Sequence, residues 1–547
     1  MNGPSVITAE SIGTAAKFDP QLRVPERPRV RRGLVIHPEP DEVVVEGGPK
    51  RQLFRGRSAT ALLPSLLDRL DGRAGHETIA ADLEVSEDVA FKALSLLWAC
   101  GVIEEGPPEE LPVREVEPEL VDYLSRIGDS TGANASWEQA VTRLESVRLE
   151  IFGASALAEA LVAELAPAVD ARTADGSLPR PDTTVVVWID AAGVSADETI
   201  RHCWDKGIPL VRFRIDGRTA DLGPVADPRT TPCLYCLASG NTSDDRVARD
   251  GDVELATALF ARDLFAMLSR STPSPLPLRS RRVDLDDLSQ CEVSAATRPG
   301  CELCSVADGP VASEAALPTR YEASVAMPPK EFADLKAHQM HYKPSNLALQ
   351  RQSRTWPVAP KSDLPAPSFE LLAPDWEPTK ATVDGKTSDV DAELLSLVLM
   401  TTVGIKGVTE QKVLRWTASG GNIGSVIAYV VVRSCAGVEP GIYGYVSSTH
   451  QLARLSTRIG AVPGDAPVTV VLGGDYGKVA EKYSAFALRI VFLDSGCAQA
   501  TAREVCGLLG IGFRQRPDFD DRLLADAIGF DPAVEPITAV LDLGGAQ

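Results

Sequence analysis

Two Cys-x-x-Cys pairs, Cys233-Leu-Tyr-Cys236 and Cys301-Glu-Leu-Cys304, constrain the fold of this 547-residue chain more than any other feature. Two residues between cysteines let both thiolates reach one ion from a single tight turn, and two such turns complete a tetrahedral four-sulfur shell. Pro232 precedes the first pair and Pro299-Gly300 the second, as knuckle turns favour. The insert between the pairs is far longer than in a compact finger, so the expected site is a staple across a domain. With sulfur at all four positions no place is left for a catalytic water, and the expected zinc is structural. A redox dithiol, or four unrelated thiols, is the alternative.

Hydrophobic residues make up 44% of the chain and charged residues 24%, an ordinary globular balance, and the length suits three or four domains. A net charge of −21 lacks the basic footprint that phosphate binding needs, so no nucleic-acid partner is expected. There is no uninterrupted apolar run of about 18 residues, and the N-terminus lacks the basic-then-apolar order of a secretory signal. A cytoplasmic protein without a membrane span is expected. There, ten cysteines do not form a disulfide framework. Cys100, Cys203, Cys291, Cys435, Cys497 and Cys506 read as buried free thiols.

Residues 1–32 read as a poorly structured lead-in. From Gly33 the segment GLVIHPEPDEVVVEG alternates like a short hairpin, and two helical patterns follow, with Ser86 as a start signal and Asp71-Gly72 as a stop. Residues 33–110 are therefore expected to form a winged-helix-like domain, whose acidic helices suit a peptide better than DNA. Beyond a Pro/Glu-rich linker, VRLEIFG, SALAEALVAEL, TTVVVWID and IPLVRFRI alternate strand and helix, which means a parallel α/β sheet within residues 111–325. A second linker is expected at 306–330, and a further domain over 326–547. The turn after VRLEIF keeps only Gly153 of a Gly-x-Gly-x-x-Gly nucleotide loop, so a strand-to-helix turn without ligand is favoured.

Phe54-Arg55-Gly56 with LLDRLDG, then GIPLVRFRI, TPCLYCLAS and RPGCELC, make residues 33–305 resemble the ThiF-like proteins of thiazole/oxazole-modified peptide pathways. The resemblance implies a winged-helix leader-peptide clamp, a degenerate adenylating-enzyme α/β domain and a zinc site at Cys233, Cys236, Cys301 and Cys304. It implies binding of a precursor peptide without ATP chemistry.

Three segments carry the last third. Ser419-Gly420-Gly421-Asn422 precedes the strand VIAYVVVRS; glycines there permit close approach to a flat heterocycle, and an amide can pair with a flavin edge. PGIYGY reads as a hairpin strand ending near His450. Lys482-Tyr483 precedes a long helix expected to pack beneath the site. In this order the three resemble SagB-type azoline dehydrogenases, the FMN-dependent branch of the α+β nitroreductase fold. The resemblance covers residues from about 330 to the end. It implies FMN at a homodimer interface, catalysis by Lys482 and Tyr483, and a cyclodehydratase partner that supplies azolines.

The family's Arg-Arg-Ser-x-Arg phosphate word is missing. WEPTKATVDGKTSDV stands in its place, so Lys380 or Lys386, or Arg351 and Arg354 from upstream, are the candidates for the phosphate. Cys497 takes a place often held by histidine. Oxidation of an azoline removes a hydride and a proton, and which of Lys482 and Tyr483 takes the proton is open at this stage. A non-catalytic leader-binding scaffold of the same pathway is the alternative, and an ATP-dependent adenylating enzyme is a third reading.

Overall fold

Valines at 43, 44 and 45, bounded by glutamates, form the strand Glu42–Glu46, which pairs antiparallel with Val35–Pro38 on one side and Gln52–Arg55 on the other. Val43, Val45 and Phe54 turn inward onto Leu63, Leu66, Ile79, Leu94 and Leu97 of the helices Arg57–Leu67, His76–Asp82 and Glu87–Ala99. The Ser86 hydroxyl caps the last of these by accepting the Val89 N–H at 3.3 Å. The expected hairpin and helices are all present.

The computed structural model describes residues 7–19, 22–48, 50–108, 116–127, 131–190, 196–240, 243–332, 344–372, 389–410 and 412–545. The chain divides into two compact units, Met1–His338 and Gln339–Gln547.

The expectation of a poorly structured lead-in is corrected. Ala9–Phe18 is a helix opened by a reciprocal Thr8/Ser11 capping box, and it buries Ile12 and Ala15. Lys17 pairs with Asp88, and Lys92 reaches Glu10 at 2.6 Å, which ties this helix to the helix Glu87–Ala99. Pro28–Val30 pairs with Ile103–Glu105. The second correction concerns the linker at 306–330, where Leu317–Val325 is a helix with Pro318 in its first turn. The Arg279 guanidinium donates to the Ser324 and Ala326 carbonyls at 2.8 and 3.1 Å, so this helix belongs to the N-terminal unit.

The seven-stranded sheet of the N-terminal unit runs in the order Gln290–Ser294, Arg279–Asp284, Thr219–Ala226, Leu210–Asp216, Val185–Asp190, Arg148–Phe152, Asp170–Thr173. The last four are parallel, as the strand–helix alternation requires, and the first three join antiparallel. Gly153 has φ +118°, and a Cβ there would stand 2.6 Å from the Ile189 carbonyl oxygen. This glycine serves the close approach of two strand ends. Nearby Asp190 is engaged by the Arg212 guanidinium at 2.6 Å.

In the C-terminal unit, Val426–Val432 sits mid-sheet between Gly441–Val446 and Val468–Gly474, and the sheet extends through Gln451–Ser456 and Lys361–Asp363 on one side and Ile537–Leu543 and Phe513–Gln515 on the other. All pairings are antiparallel. Ala428, Val430 and Val432 pack on the helices Ala392–Val403 and Ala487–Leu508, while Ile427, Tyr429 and Val431 pack on Asp521–Ile528. The period-two pattern thus buries both faces. The expected Gly441–Val446 hairpin is present; its Tyr445 hydroxyl and His450 Nδ1 are 2.8 Å apart. Among the described residues no helix is long and apolar enough to cross a membrane.

Candidate functional site

The four knuckle cysteines converge. Cys233 Sγ lies 3.5 Å from Cys301 Sγ and Cys236 Sγ 3.6 Å from Cys304 Sγ, and all four sulfurs fall within 4.8 Å of one another. Zn–S bonds of about 2.3 Å place tetrahedral sulfurs roughly 3.8 Å apart, so the set is sized for one ion. The Arg298 N–H points at Cys236 Sγ at 3.4 Å, a second interaction that favours thiolate. The hydrogen bond from Cys233 drives the Cys236 thiol far below its ordinary range and holds the Cys233 proton correspondingly tighter. Elsewhere burial pushes Cys203 and Cys506 up to about 12 and Cys435 up to about 11, which makes them inert thiols. Cys291 and Cys497 are exposed, contrary to the expectation of burial.

The Ser419–Asn422 segment forms a tight turn at the mouth of the strand Val426–Val432. Asp494, from the helix Ala487–Leu508, accepts the Ser419 hydroxyl at 2.8 Å, the Gly420 N–H at 2.7 Å and the Ser425 hydroxyl at 2.6 Å. The turn's carbonyls are held by cations. Lys478 donates to Ile423 O at 2.8 Å, Gly424 O at 3.2 Å and Gln352 O at 2.7 Å. Arg415 donates to Ile423 O at 3.0 Å and Gln350 O at 2.8 Å. Burial, reinforced by the Arg415 charge, lowers Lys478 to about 8.

Lys482 and Tyr483 come to this turn together. A Cβ placed on Gly421, whose φ is +59°, would stand 2.8 Å from Tyr483 Oη and closer still to Lys482 Nζ. The ammonium lies 5.1 Å from the Tyr483 ring centroid. Both side chains are half-buried. Burial lowers the proton affinity of Lys482 and raises the pKa of Tyr483, and the Asp494 charge adds to the latter.

Two polar groups of this turn are engaged within the protein. The Gly420 N–H is taken by Asp494, and Asn422 Nδ2 donates to Val413 O at 2.5 Å and Gln350 Oε1 at 3.2 Å. The upstream arginines are also engaged: Arg351 donates to the Thr409 and Glu410 carbonyls, and Arg354 pairs with Glu535 at 2.5 Å. Lys380 and Lys386 lie outside the described residues. Asp494 and Lys478 carry no motif in the sequence, and Arg415 stands there only as the start of the Arg415–Ser425 segment. The partners of Asp494 and Lys478 in the turn stand far along the chain, whereas Arg415 reaches the nearby Asn422 and Ile423 carbonyls; the run Asp475-x-x-Lys478 hints at a capped helix, since Asp475 accepts the Lys478 N–H.

No protein-family profile matches the sequence, and no curated protein does. Solved structures that match part of this chain include the heterocyclase TruD, at 17% identity and a TM-score of 0.39 over 51% of this chain and 43% of that one. A heterocyclase in complex with substrate and cofactor gives the same identity and TM-score and is covered over 40% of its length, so this chain spans less than half of either. Escherichia coli MccB is 12% identical, with a TM-score of 0.39 over 51% of this chain and 97% of its own. A protein described as a nitroreductase of Anabaena variabilis is 19% identical, with a TM-score of 0.26 over 38% of this chain and 45% of its own.

Proposed function

We propose that this protein is an FMN-dependent dehydrogenase that oxidises azoline rings of a ribosomally made peptide to thiazoles or oxazoles. The observation that carries this reading is the convergence of the Lys482 ammonium and the Tyr483 hydroxyl on the side-chain-free surface of Gly421. An azoline becomes aromatic by losing a hydride and a proton, and bound FMN supplies the hydride acceptor. The chain must then take the proton and fix the substrate ring.

The residues fit such a cofactor in kind. Ser419, Gly420, Gly421 and Asn422 give a rigid, half-buried backbone surface, and an amine and a phenol stand beside it. Lys380 is assigned to the phosphate. Lys482 is the base: burial eases its loss of a proton, whereas burial and the Asp494 charge keep Tyr483 protonated and able to donate a hydrogen bond. The four cysteines hold a structural zinc. The N-terminal unit binds the leader of the precursor peptide, a cyclodehydratase supplies the azolines, and the working form is a homodimer.

The second reading is a flavin-free scaffold of the same pathway. It is favoured by the internal use of the Gly420 N–H, the Asn422 amide and the Arg351 and Arg354 guanidinia. Incubation with FMN and an azoline-bearing peptide, followed by mass spectrometry, separates the two. The dehydrogenase removes two hydrogens per ring and Lys482→Ala stops it; a scaffold leaves the azolines intact in both cases.

A further inference from the structure

Asp494 is only 6% exposed, carries a formal charge, and among the described residues forms no ion pair. All three of its hydrogen-bond donors belong to one short stretch, residues 419–425. Such a carboxylate is costly to bury unless its oxygens are well satisfied, and charged acceptors make the stronger hydrogen bonds. The stretch it grips is connected onward. The Ser425 carbonyl accepts the Asp475 N–H at 2.7 Å, and the Asp475 side chain caps the helix Tyr476–Tyr483 by accepting the Lys478 N–H at 3.4 Å. A second strut joins the same two elements, because Lys478 from that helix donates to the carbonyls of Ile423 and Gly424. The helix that carries Lys482 and Tyr483 is thus fastened at its start to the stretch that Asp494 holds.

Resting on the proposed dehydrogenase reading, we propose that Asp494 is a positioning residue: it fixes the Ser419–Ser425 stretch, and through Ser425 and Asp475 it sets the helix that presents Lys482 and Tyr483 to the substrate ring. It does not itself touch the reacting atoms. Asn at 494 keeps the side-chain shape and one acceptor oxygen for the Gly420 N–H, while the Ser419 and Ser425 hydroxyls can rotate to accept from the amide. Ala at 494 leaves those donors without a partner.

The test compares the full chain with Asp494→Ala and Asp494→Asn by two readouts. The first is turnover of an azoline peptide with FMN. The second is the pH dependence of Lys482 acetylation, read by peptide mass spectrometry, which needs no activity. Asp494→Ala is expected to lower kcat by about 100-fold with little change in KM, the scale of a small misplacement of reacting groups. Its Lys482 labelling profile moves up toward that of an ordinary lysine. Asp494→Asn recovers most of the rate and of the labelling profile. If Asp494→Ala does not fold, the Asn variant decides: a wild-type profile supports placement, and the profile of an ordinary lysine overturns it. Unchanged kcat and labelling in a folded Asp494→Ala also overturn the proposal. If the wild-type chain itself oxidises no azoline, the dehydrogenase reading fails, and the labelling profile alone decides whether Asp494 sets the position of Lys482.

Discussion

Asp494 and Lys478 hold one turn by its two polarities: Asp494 accepts the Gly420 N–H at 2.7 Å, and Lys478 donates to the Ile423 carbonyl at 2.8 Å. An anion on the donors and a cation on the acceptors leave the turn few ways to relax. Its product is the half-buried backbone at Gly421, against which Lys482 and Tyr483 stand.

Gly421→Ala follows directly. A methyl group there meets the Lys482 ammonium and the Tyr483 hydroxyl, and the backbone is left-handed, where L side chains cost about 1–2 kcal/mol. Azoline oxidation should fall on the order of 100-fold while zinc content stays at the wild-type level. Peptide turnover and metal analysis of the same preparation check both halves.

The acid–base assignment predicts a pH profile. Activity requires Lys482 without its proton, so kcat/KM should rise with pH through a pKa below that of an ordinary lysine, in the direction set by burial. Tyr483→Phe should lower the plateau and retain the rising limb. Loss of that limb in Tyr483→Phe would assign the base to the tyrosine instead.

Lys478 makes a separate prediction about stability. Its folded-state pKa of about 8 lies below the unfolded value of 10.5, so between these the unfolded chain binds more protons. This residue's contribution to stability is therefore lost as pH falls toward 8 and gained as pH rises, by up to about 1.4 kcal/mol per pH unit. In Lys478→Met this part of the slope should vanish. Ile423 keeps its Arg415 donor, and the Gln352 and Gly424 carbonyls left without one should cost about 1–3 kcal/mol in denaturant unfolding near pH 7.

The cysteine cluster should bind about one zinc ion per chain. Cys236→Ser should lower zinc content and the melting temperature of the N-terminal unit, because metal binding to such a site contributes folding free energy. Chelation should do the same to the wild type. A redox dithiol would instead show reversible oxidation with no bound zinc.

Local chemistry made much of this legible. Valines between glutamates specified the strand Glu42–Glu46, the short apolar run through Val426–Val432 specified a strand, and the Cys-x-x-Cys spacing specified a four-sulfur cluster. The missed helix Ala9–Phe18 had a readable signal in Thr8 and Ser11, outweighed by the basic, proline-containing run after it. Leu317–Val325 was hidden by Pro318, which ends helices in mid-course but suits a first turn. The two contacts that close the clamp around the turn left no local signal. Asp494 reaches Gly420 across 74 positions and Lys478 reaches Ile423 across 55, and one sequence has no way to mark such pairs. The closeness of Lys482 and Tyr483 to Gly421 is likewise a contact between distant positions that a Gly-Gly turn does not announce.

The most direct test is anaerobic visible spectroscopy of the purified protein loaded with FMN and mixed with an azoline-bearing peptide. A dehydrogenase of this kind gives a yellow protein whose flavin absorbance bleaches on mixing, and no bleaching in Lys482→Ala. A protein that stays colourless with added FMN, or a bound flavin that remains oxidised in the presence of the peptide, would contradict the dehydrogenase reading.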